Sequence, residues 1–226
     1  MKPQSDALIL QTGDTQSLPF WKDKSWKRYP FAYQGTEEQF TLPSAIGWHP
    51  GYESQSWDIE AYVKGKESGK IYTFVHIYSY NAMGKFFGFS CRVLNVADIA
   101  EKKRYVDRRY HFRPFPGIFK PPFDVTEGNL DITYHPQGSN VNRWYPKKDS
   151  SGNPLPFEFH LEASNNPKTA VRTKLSVDIE ALKPPLLDGG MDYRGTLTMF
   201  GQPNTFAFCL SPRVKVRGTL EMAGKT

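Results

Sequence analysis

The feature that most constrains this chain is the alternation of apolar and polar residues along many short runs. Between Trp57 and Val63, and again between Phe157 and Ala163, apolar side chains recur at every second position. The stretch from Val171 to Glu180 repeats the pattern. Because successive side chains of a β-strand point to opposite faces, this period predicts strands that each bury one face. A chain built from such runs is expected to be an all-β protein.

The chain offers about nine or ten such runs, separated by short turns rich in glycine, asparagine and proline. The remaining runs are residues 71–80, 86–94, 129–134, 140–145, 193–200, 205–211 and 213–222. Strands that follow one another so closely pair in antiparallel order, and a flat sheet of this many strands would leave long edges unprotected. We therefore predict a closed antiparallel β-barrel.

One domain accounts for the chain of 226 residues, of which 38% are hydrophobic and 23% charged. This length and composition suit one large globular core. We expect a single domain over residues 1–226. Residues 1–50 carry scattered prolines and aromatic residues without any period, and they predict an irregular arm that packs on the barrel.

Two segments depart from the strand pattern. Residues 97–109 are charged and free of glycine and proline, and they predict the one short helix of the chain. Residues 114–124 hold four prolines among eleven positions and predict an extended loop.

The charge balance is moderately basic, with 29 lysines and arginines against 23 acidic residues and a sequence pI of about 9.2. The densest basic segment, Lys102 to Arg113, interleaves aromatic residues with its charges, as a surface that follows a phosphate backbone would. We favour a solvated loop or helix face, because no compact basic block accompanies it. We expect no nucleic-acid partner.

The N-terminal residues and the cysteines indicate the cellular compartment of the protein. The N-terminal residues show no signal-peptide core, and no run approaches the length of a membrane-spanning helix. Cys91 and Cys209 lie far apart in strand-like runs, which is typical of small buried residues rather than of a disulfide or a catalytic thiol. These observations predict a cytoplasmic protein without membrane insertion.

The sequence lacks the motifs that mark nucleotide-binding, zinc-protease and serine-hydrolase sites. Its five histidines, at positions 49, 76, 111, 135 and 160, are scattered, and none has a neighbour at metal-ligand spacing. We expect no metal and no cofactor.

The most informative run is residues 71–80, where one strand face carries Tyr72, Phe74, His76, Tyr78 and Tyr80. Its aromatic rings would form a broad apolar wall with hydroxyl tips, which suits an elongated hydrophobic ligand. An imidazole at the centre of that wall could donate a hydrogen bond or act as an acid. The alternative is that His76 is a hydrogen-bonded core residue among packing rings.

A second cluster lies in residues 47–60, just before and within the first strong strand. Glu53 stands near Trp57, and a carboxyl beside such rings at a barrel mouth would be partly desolvated, which raises its pKa and suits a proton donor. The alternative is an exposed carboxylate or one paired with an arginine. Glu53 and His76 are the predicted catalytic residues, and Trp57 joins the rings of the aromatic strand as the predicted substrate-binding wall.

Three segments together resemble the carotenoid hydratase (hydroxyneurosporene synthase) family, to whose wider group the fungal lipocalin-like Diels–Alderases belong. They are ESQSWDIEAYVKG at residues 53–65, LSVDIEALKPPLLDGG at residues 175–190 and SPRVKVRGTL at residues 211–220. The positions similar to the family are Glu53, Trp57, Lys183, Pro184, Pro185 and Gly189. The last four suit a strand connection, because proline and glycine restrict or free the backbone at turns.

The resemblance implies a lipocalin-like β-barrel whose cavity binds isoprenoid or polyene chains, with catalysis by positioning and acid and without a cofactor. Members similar to this chain have two tandem barrels, whereas the sequence here ends at Thr226. A homodimer or a second barrel subunit could supply the missing wall, a single barrel could suffice, or the chain could be a binding relic.

The leading hypothesis is a barrel that binds a hydrophobic polyene, isoprenoid or polyketide-like molecule and promotes its cyclisation or hydration. The alternative is a non-catalytic carrier or sensor of the same ligands, which needs the cavity but no proton donor. A third interpretation, a jelly-roll sugar-binding module, requires the aromatic face of residues 72–80 to point to solvent.

Overall fold

A computed structural model describes residues 19–22, 46–50, 54–83, 86–115, 122–134, 142–165, 172–184, 186–187, 196–199, 202–206, 208–209 and 213–222. Apart from a three-residue 3-10 helix at Phe20–Lys22, its regular elements are β-strands. The registered strand pairs are antiparallel. The predicted all-β antiparallel fold is confirmed.

The described strands overlap every predicted run, and β4, β5 and β10 fall outside those runs. They are β1 (Ser54–Lys64), β2 (Ile71–Met83), β3 (Phe87–Asp98), β4 (Lys103–Pro114), β5 (Phe123–Val125), β6 (Ile132–Tyr134), β7 (Asn142–Lys148), β8 (Pro154–Ser164), β9 (Thr173–Ala181), β10 (Leu186–Leu187), β11 (Thr196–Met199), β12 (Gln202–Phe206), β13 (Phe208–Cys209) and β14 (Val214–Met222).

The first four strands form a meander in the order β1-β2-β3-β4. Trp57 pairs with Tyr78, Tyr78 with Arg92, and Arg92 with Arg109, so these four residues make one row across the sheet. Because residues directly opposite each other in a sheet share a face, the row brings aromatic and cationic side chains together.

Residues 97–109 do not form the predicted helix. Strand β3 continues to Asp98, and β4 starts at Lys103 after a turn in which Lys102 has φ 53°. Along β4 the exposed Arg104 and Arg108 alternate with inward residues such as the buried Asp107. The basic segment is therefore half of a hairpin with two different faces, and the expectation of a wholly solvated loop or helix face is wrong.

The predicted loop over residues 114–124 is shorter than expected. Strand β4 reaches Pro114 and β5 begins at Phe123, while residues 116–121 lie outside the described part of the chain. Pro114 is tolerated because β4 is an edge strand of its sheet, where a missing backbone donor breaks no ladder on the open side.

The second large sheet has six strands in the order β14-β9-β8-β7-β6-β5. Alternate residues of β8 and β9 are buried, including Phe159, Leu161, Leu175 and Val177. Among the described strands, backbone hydrogen bonding does not join this sheet to the four-stranded one. The strands predicted to close into a ring thus form two principal sheets in this part of the chain.

The chain divides into two compact units, residues 37–179 with 216–226 and residues 1–36 with 180–215. In the latter, β10 pairs with β13 and β11 pairs with β12. In the former, the ring of Tyr78 from the four-stranded sheet meets the rings of Phe123 and Tyr134 from the six-stranded sheet. The core of this larger unit therefore lies between the inward faces of the two sheets.

The predicted arm falls within the described residues only at 19–22 and 46–50. Ile46 is buried, and the Trp48 amide donates to the Thr126 carbonyl at 2.9 Å. A Cβ at Gly47 would lie 2.7 Å from the Gly128 nitrogen, so glycine permits this close approach. Residues 46–50 accordingly pack on the connection that follows β5.

Within the described residues, the helical content is too short to include any segment capable of crossing a membrane as an apolar helix.

Candidate functional site

The aromatic face of β2 points into the interior. Phe74, His76, Tyr78 and Tyr80 are buried at alternate positions, and Tyr72 at the start of the strand is half-buried. Strand alternation explains the arrangement, because these residues share one side of the pleat. The sugar-binding interpretation required the same rings to form an exposed platform, and burial contradicts it.

Part of this wall is used to pack the two sheets together. The Tyr78 ring lies 5.5 Å from that of Phe123 and 6.2 Å from that of Tyr134, measured between centroids. Trp57 packs edge-on against Phe123, and its indole nitrogen donates to the Ile46 carbonyl at 2.6 Å. These contacts are typical of aromatic core packing. The groups of the inner face that could bind or react with a ligand are therefore the polar atoms beside these rings.

His76 is fully enclosed, with 0% of its surface exposed. Its ring meets the Tyr78 ring edge-on at 4.7 Å between centroids, and neither of its nitrogens makes a hydrogen bond of ordinary geometry. Burial holds the pKa of His76 well below its usual value, the Arg92 charge lowers it further, and the Val93 backbone opposes the shift. The imidazole is therefore neutral near pH 7.

Two hydroxyl groups on the same face are also buried without a hydrogen bond of ordinary geometry. The Tyr78 hydroxyl and the Ser90 hydroxyl are buried, and neither has a hydrogen-bond partner in the described structure. Ser90 lies opposite Tyr80 on β3, two residues before Arg92, so it stands diagonally across from Tyr78. Burial raises the pKa of Tyr78, which keeps its phenol protonated.

Arg92 is the most deeply buried charge of the site, with 1% of its surface exposed. Its Nη1 donates to Asp107 at 2.7 Å, and its Nη2 donates to the Asn142 side chain at 2.8 Å and to the Ser164 carbonyl at 2.9 Å. Asn142 and Ser164 belong to the six-stranded sheet. The guanidinium thus joins the inward faces of both sheets through charge-assisted hydrogen bonds.

A second arginine shares the same carboxylate. Arg109 Nε lies 3.0 Å from Asp107 Oδ1, while Arg92 takes Oδ2. Further along β4, the guanidinium of the buried Arg113 lies over the Tyr80 ring at 4.8 Å. The inner face therefore changes from apolar near β1 to cationic near β4, with three inward arginines and Asp107 among them.

The predicted site residues are only partly brought together. Trp57 shares the inner face with Tyr72, Phe74, His76, Tyr78 and Tyr80 of β2, whereas Glu53 lies outside the described residues.

Sequence reasoning missed Ser90, Arg92, Asp107 and Arg109. The signal was their spacing, since Ser90 and Arg92 occupy the same alternating positions as the apolar Leu94 and Val96 of β3. Charged residues are rarely enclosed without partners, so hydropathy alone assigns them to the surface.

A different polar group lies on the outer face of the six-stranded sheet. His160 Nδ1 lies 2.7 Å from Asp178 Oδ1, and its Nε2 lies 3.2 Å from the Ser176 hydroxyl. Lys147 donates to the other oxygen of Asp178 at 3.2 Å. These half-exposed groups satisfy one another across three strands. The inner cluster is the stronger candidate site, because its buried polar atoms lack such partners.

Among the described residues, no three or more histidine, cysteine, aspartate or glutamate side chains are placed to hold a metal ion.

Comparisons with known proteins identify a shared fold. No family model matches the sequence, and no curated protein matches it either. A solved structure from Nitrosomonas europaea, described as "a putative AttH (NE1406)", superposes on 84% of this chain with a TM-score of 0.58 and 14% identity. The matched region is 52% of that protein, so this chain spans about half its length. At that identity the likeness is one of fold alone.

Proposed function

We propose that this protein binds a hydrophobic small molecule in the interior of its larger unit and promotes cyclisation or hydration of that molecule without a cofactor. The observation that carries the proposal is His76, a fully buried imidazole whose two nitrogens make no hydrogen bond of ordinary geometry. Buried polar groups in native proteins are nearly always paired. A bound molecule with polar atoms would supply the missing partners.

The surroundings of His76 suit an apolar guest. Ile59 lies opposite it on β1, and the rings of Phe74 and Tyr78 flank it on β2. Such a wall would hold a flexible chain in a folded shape, and pre-ordering of this kind lowers a barrier by up to about 7–11 kcal/mol. Where positive charge develops along the chain, the ring faces would stabilise it.

The low pKa of His76 defines its contribution. A neutral imidazole carries one N–H donor and one acceptor, so it would hold a ligand oxygen or take a proton from attacking water. It would not serve as a general acid near pH 7, because it is not protonated there. Glu53 remains the predicted proton donor of the reaction.

The resemblance to carotenoid hydratases and lipocalin-like Diels–Alderases is the basis for the reaction class, which is cyclisation or hydration of a polyene, isoprenoid or polyketide-like chain. The fold shared with the Nitrosomonas europaea protein is consistent with that group. A homodimer or a second barrel subunit as the remaining wall belongs to the same proposal.

The test is incubation of the protein with linear polyenes and analysis of the products by chromatography and mass spectrometry. An isomer of equal mass would report cyclisation, and a gain of one water would report hydration. We expect His76→Phe to lose at least about a hundredfold in turnover, because general acid–base groups contribute about 10²–10⁴-fold, with ligand binding nearly unchanged. His160→Phe on the outer face is the matched control and should retain turnover.

Full turnover in His76→Phe would refute the role of His76, and the absence of any binding would refute the proposal itself. A carrier or sensor is the second candidate, and the neutral state of His76 favours it, because the enclosed imidazole is no proton source near pH 7. Tight binding with the ligand recovered unchanged would identify the carrier.

A further inference from the structure

The inner face contains buried atoms that can only donate hydrogen bonds. Arg92 Nε, Arg109 Nη2 and Trp144 Nε1 are enclosed and have no hydrogen-bond partner in the described structure. Arginine and tryptophan nitrogens carry no acceptor lone pair, so only an acceptor can satisfy them. Trp144 belongs to the same inward face of β7 as Asn142, which binds Arg92.

Three groups beside these donors can also donate. Tyr78 lies directly opposite Arg92, and Ser90 and His76 lie on the diagonals next to that pair. Directly paired and diagonal neighbours of a sheet stand within about 8 Å of each other. The result is a compact, donor-rich patch on one side of the apolar wall.

The patch also carries an excess of positive charge. Asp107 is shared by Arg92 and Arg109, so one carboxylate faces two guanidinium groups, and His76 is neutral. The Arg92 guanidinium is enclosed in a low-dielectric interior that does not solvate its charge, whereas the Arg109 side chain is 35% exposed and its charge is partly solvated. A second carboxylate would satisfy the donors and balance the charge together.

We propose that the guest is an amphiphilic carboxylic acid with a long apolar chain, whose carboxylate binds between Arg92, Arg109 and the hydroxyl of Tyr78. The inference rests on the proposed function and names the ligand class of the same site. The apolar chain lies toward β1, against Trp57 and Phe74. Ordered water would satisfy the donors but not the charge, and that outcome is distinguished by the test.

The probe is cis-parinaric acid, a fluorescent polyene fatty acid, compared with its methyl ester in titrations near neutral pH. The two share the chain and differ in the charge of the head. We expect the acid to bind at least about tenfold more tightly, because its carboxylate accepts charge-assisted hydrogen bonds that the ester cannot accept as strongly. Equal affinities would overturn the inference while leaving the proposed function in place, and no binding of either probe would overturn both.

Variants on β4 locate the effect. Arg109→Gln removes an inward cation, and we expect it to erase the preference for the acid without weakening the ester. Arg108→Gln is the matched control, because Arg108 is exposed on the outer side of the same strand. Equal losses in both variants would indicate general surface attraction and would overturn the inference. Should Arg109→Gln fail to fold, Tyr78→Phe tests the same contact, and an undiminished preference for the acid there would overturn it.

Discussion

At the scale of single residues, the molecule encloses polar groups that an apolar core would not need. His76 lies among aromatic rings, and its nitrogens make no hydrogen bond of ordinary geometry. Arg92 lies a few ångströms from an aromatic ring, at a position where an aliphatic side chain could pack instead. Such groups reduce stability, because their hydration is lost on folding. Functional sites are where proteins retain them, since binding and catalysis require polar atoms in a dry environment.

The enclosed imidazole makes stability depend on pH. The folded-state pKa of His76 lies well below its unfolded value of about 6.5, so only the unfolded chain takes up the proton between these values. Stability is complete above about pH 6.5 and falls as pH decreases toward the folded-state pKa. This group should contribute a slope of about 1.4 kcal/mol per pH unit.

Urea unfolding between about pH 7 and pH 5 measures that slope. His76→Phe should lose this component of the pH dependence, whereas Tyr78→Phe should keep it, because a phenol does not titrate in this range. An unchanged slope in His76→Phe would show that other groups control acid unfolding.

The inward position of the β2 aromatic residues could be predicted from sequence, because alternation alone decides which residues share a strand face. The position of Arg92 and Arg109 could not. The enclosure of Arg92 depends on Asp107, Asn142 and the Ser164 carbonyl, which lie far apart in sequence and meet only in the folded chain.

At the scale of elements, apolar alternation predicts β1, β2, β8 and β9 but not β4. In β4 both faces carry charges, so no apolar period appears, and the absence of glycine and proline in residues 97–109 mimics a helix. The pairing with β3 over twelve residues overrides that local signal. Helix propensity is a weak prior, and tertiary contacts routinely outweigh it.

Strand β14 depends on one glycine. Gly218 has φ 153°, and a Cβ there would clash with the Ser176 carbonyl and stand 2.7 Å from the Val177 Cα. Gly218→Ala should therefore destabilise the protein by about 2 to 4 kcal/mol, from backbone strain and steric overlap together.

Chemical denaturation of Gly218→Ala beside Gly152→Ala tests this dependence. Gly152 also has a positive φ, of 85°, but a Cβ there would meet open space. We expect that control to lose only about 1 kcal/mol, the cost of the left-handed conformation alone. Equal losses of unfolding free energy in the two variants would mean that the close contact between Gly218 and β9 does not contribute to the destabilisation.

At the scale of the whole molecule, the two principal sheets are joined by both rings and charges. The ring contacts of Tyr78 are supplemented by Arg92, which reaches a side chain and a carbonyl of the opposite sheet. Apolar packing has no preferred direction, whereas a guanidinium demands partners at fixed angles. The arginine thereby specifies how the sheets are aligned.

Arg92→Leu should destabilise the protein by about 3–5 kcal/mol, because it leaves Asp107 as an enclosed, partly unpaired charge. Arg143→Leu is the control, since Arg143 pairs with Asp131 at 2.8 Å on the surface with its side chain 45% exposed. Exposed pairs contribute about 0–1 kcal/mol. Similar unfolding free energies for the two variants would show that the buried network is dispensable.

The two faces of β4 carry different charged residues. The charge that β4 presents to the interior therefore depends on the length of the turn at residues 99–102. One inserted or deleted residue that shifted β4 against β3 would exchange its faces, carrying Arg109 and Arg113 to solvent and Arg108 inward. Chains that share this architecture but differ there by a single residue would therefore enclose different charges, without any substitution in the strands themselves.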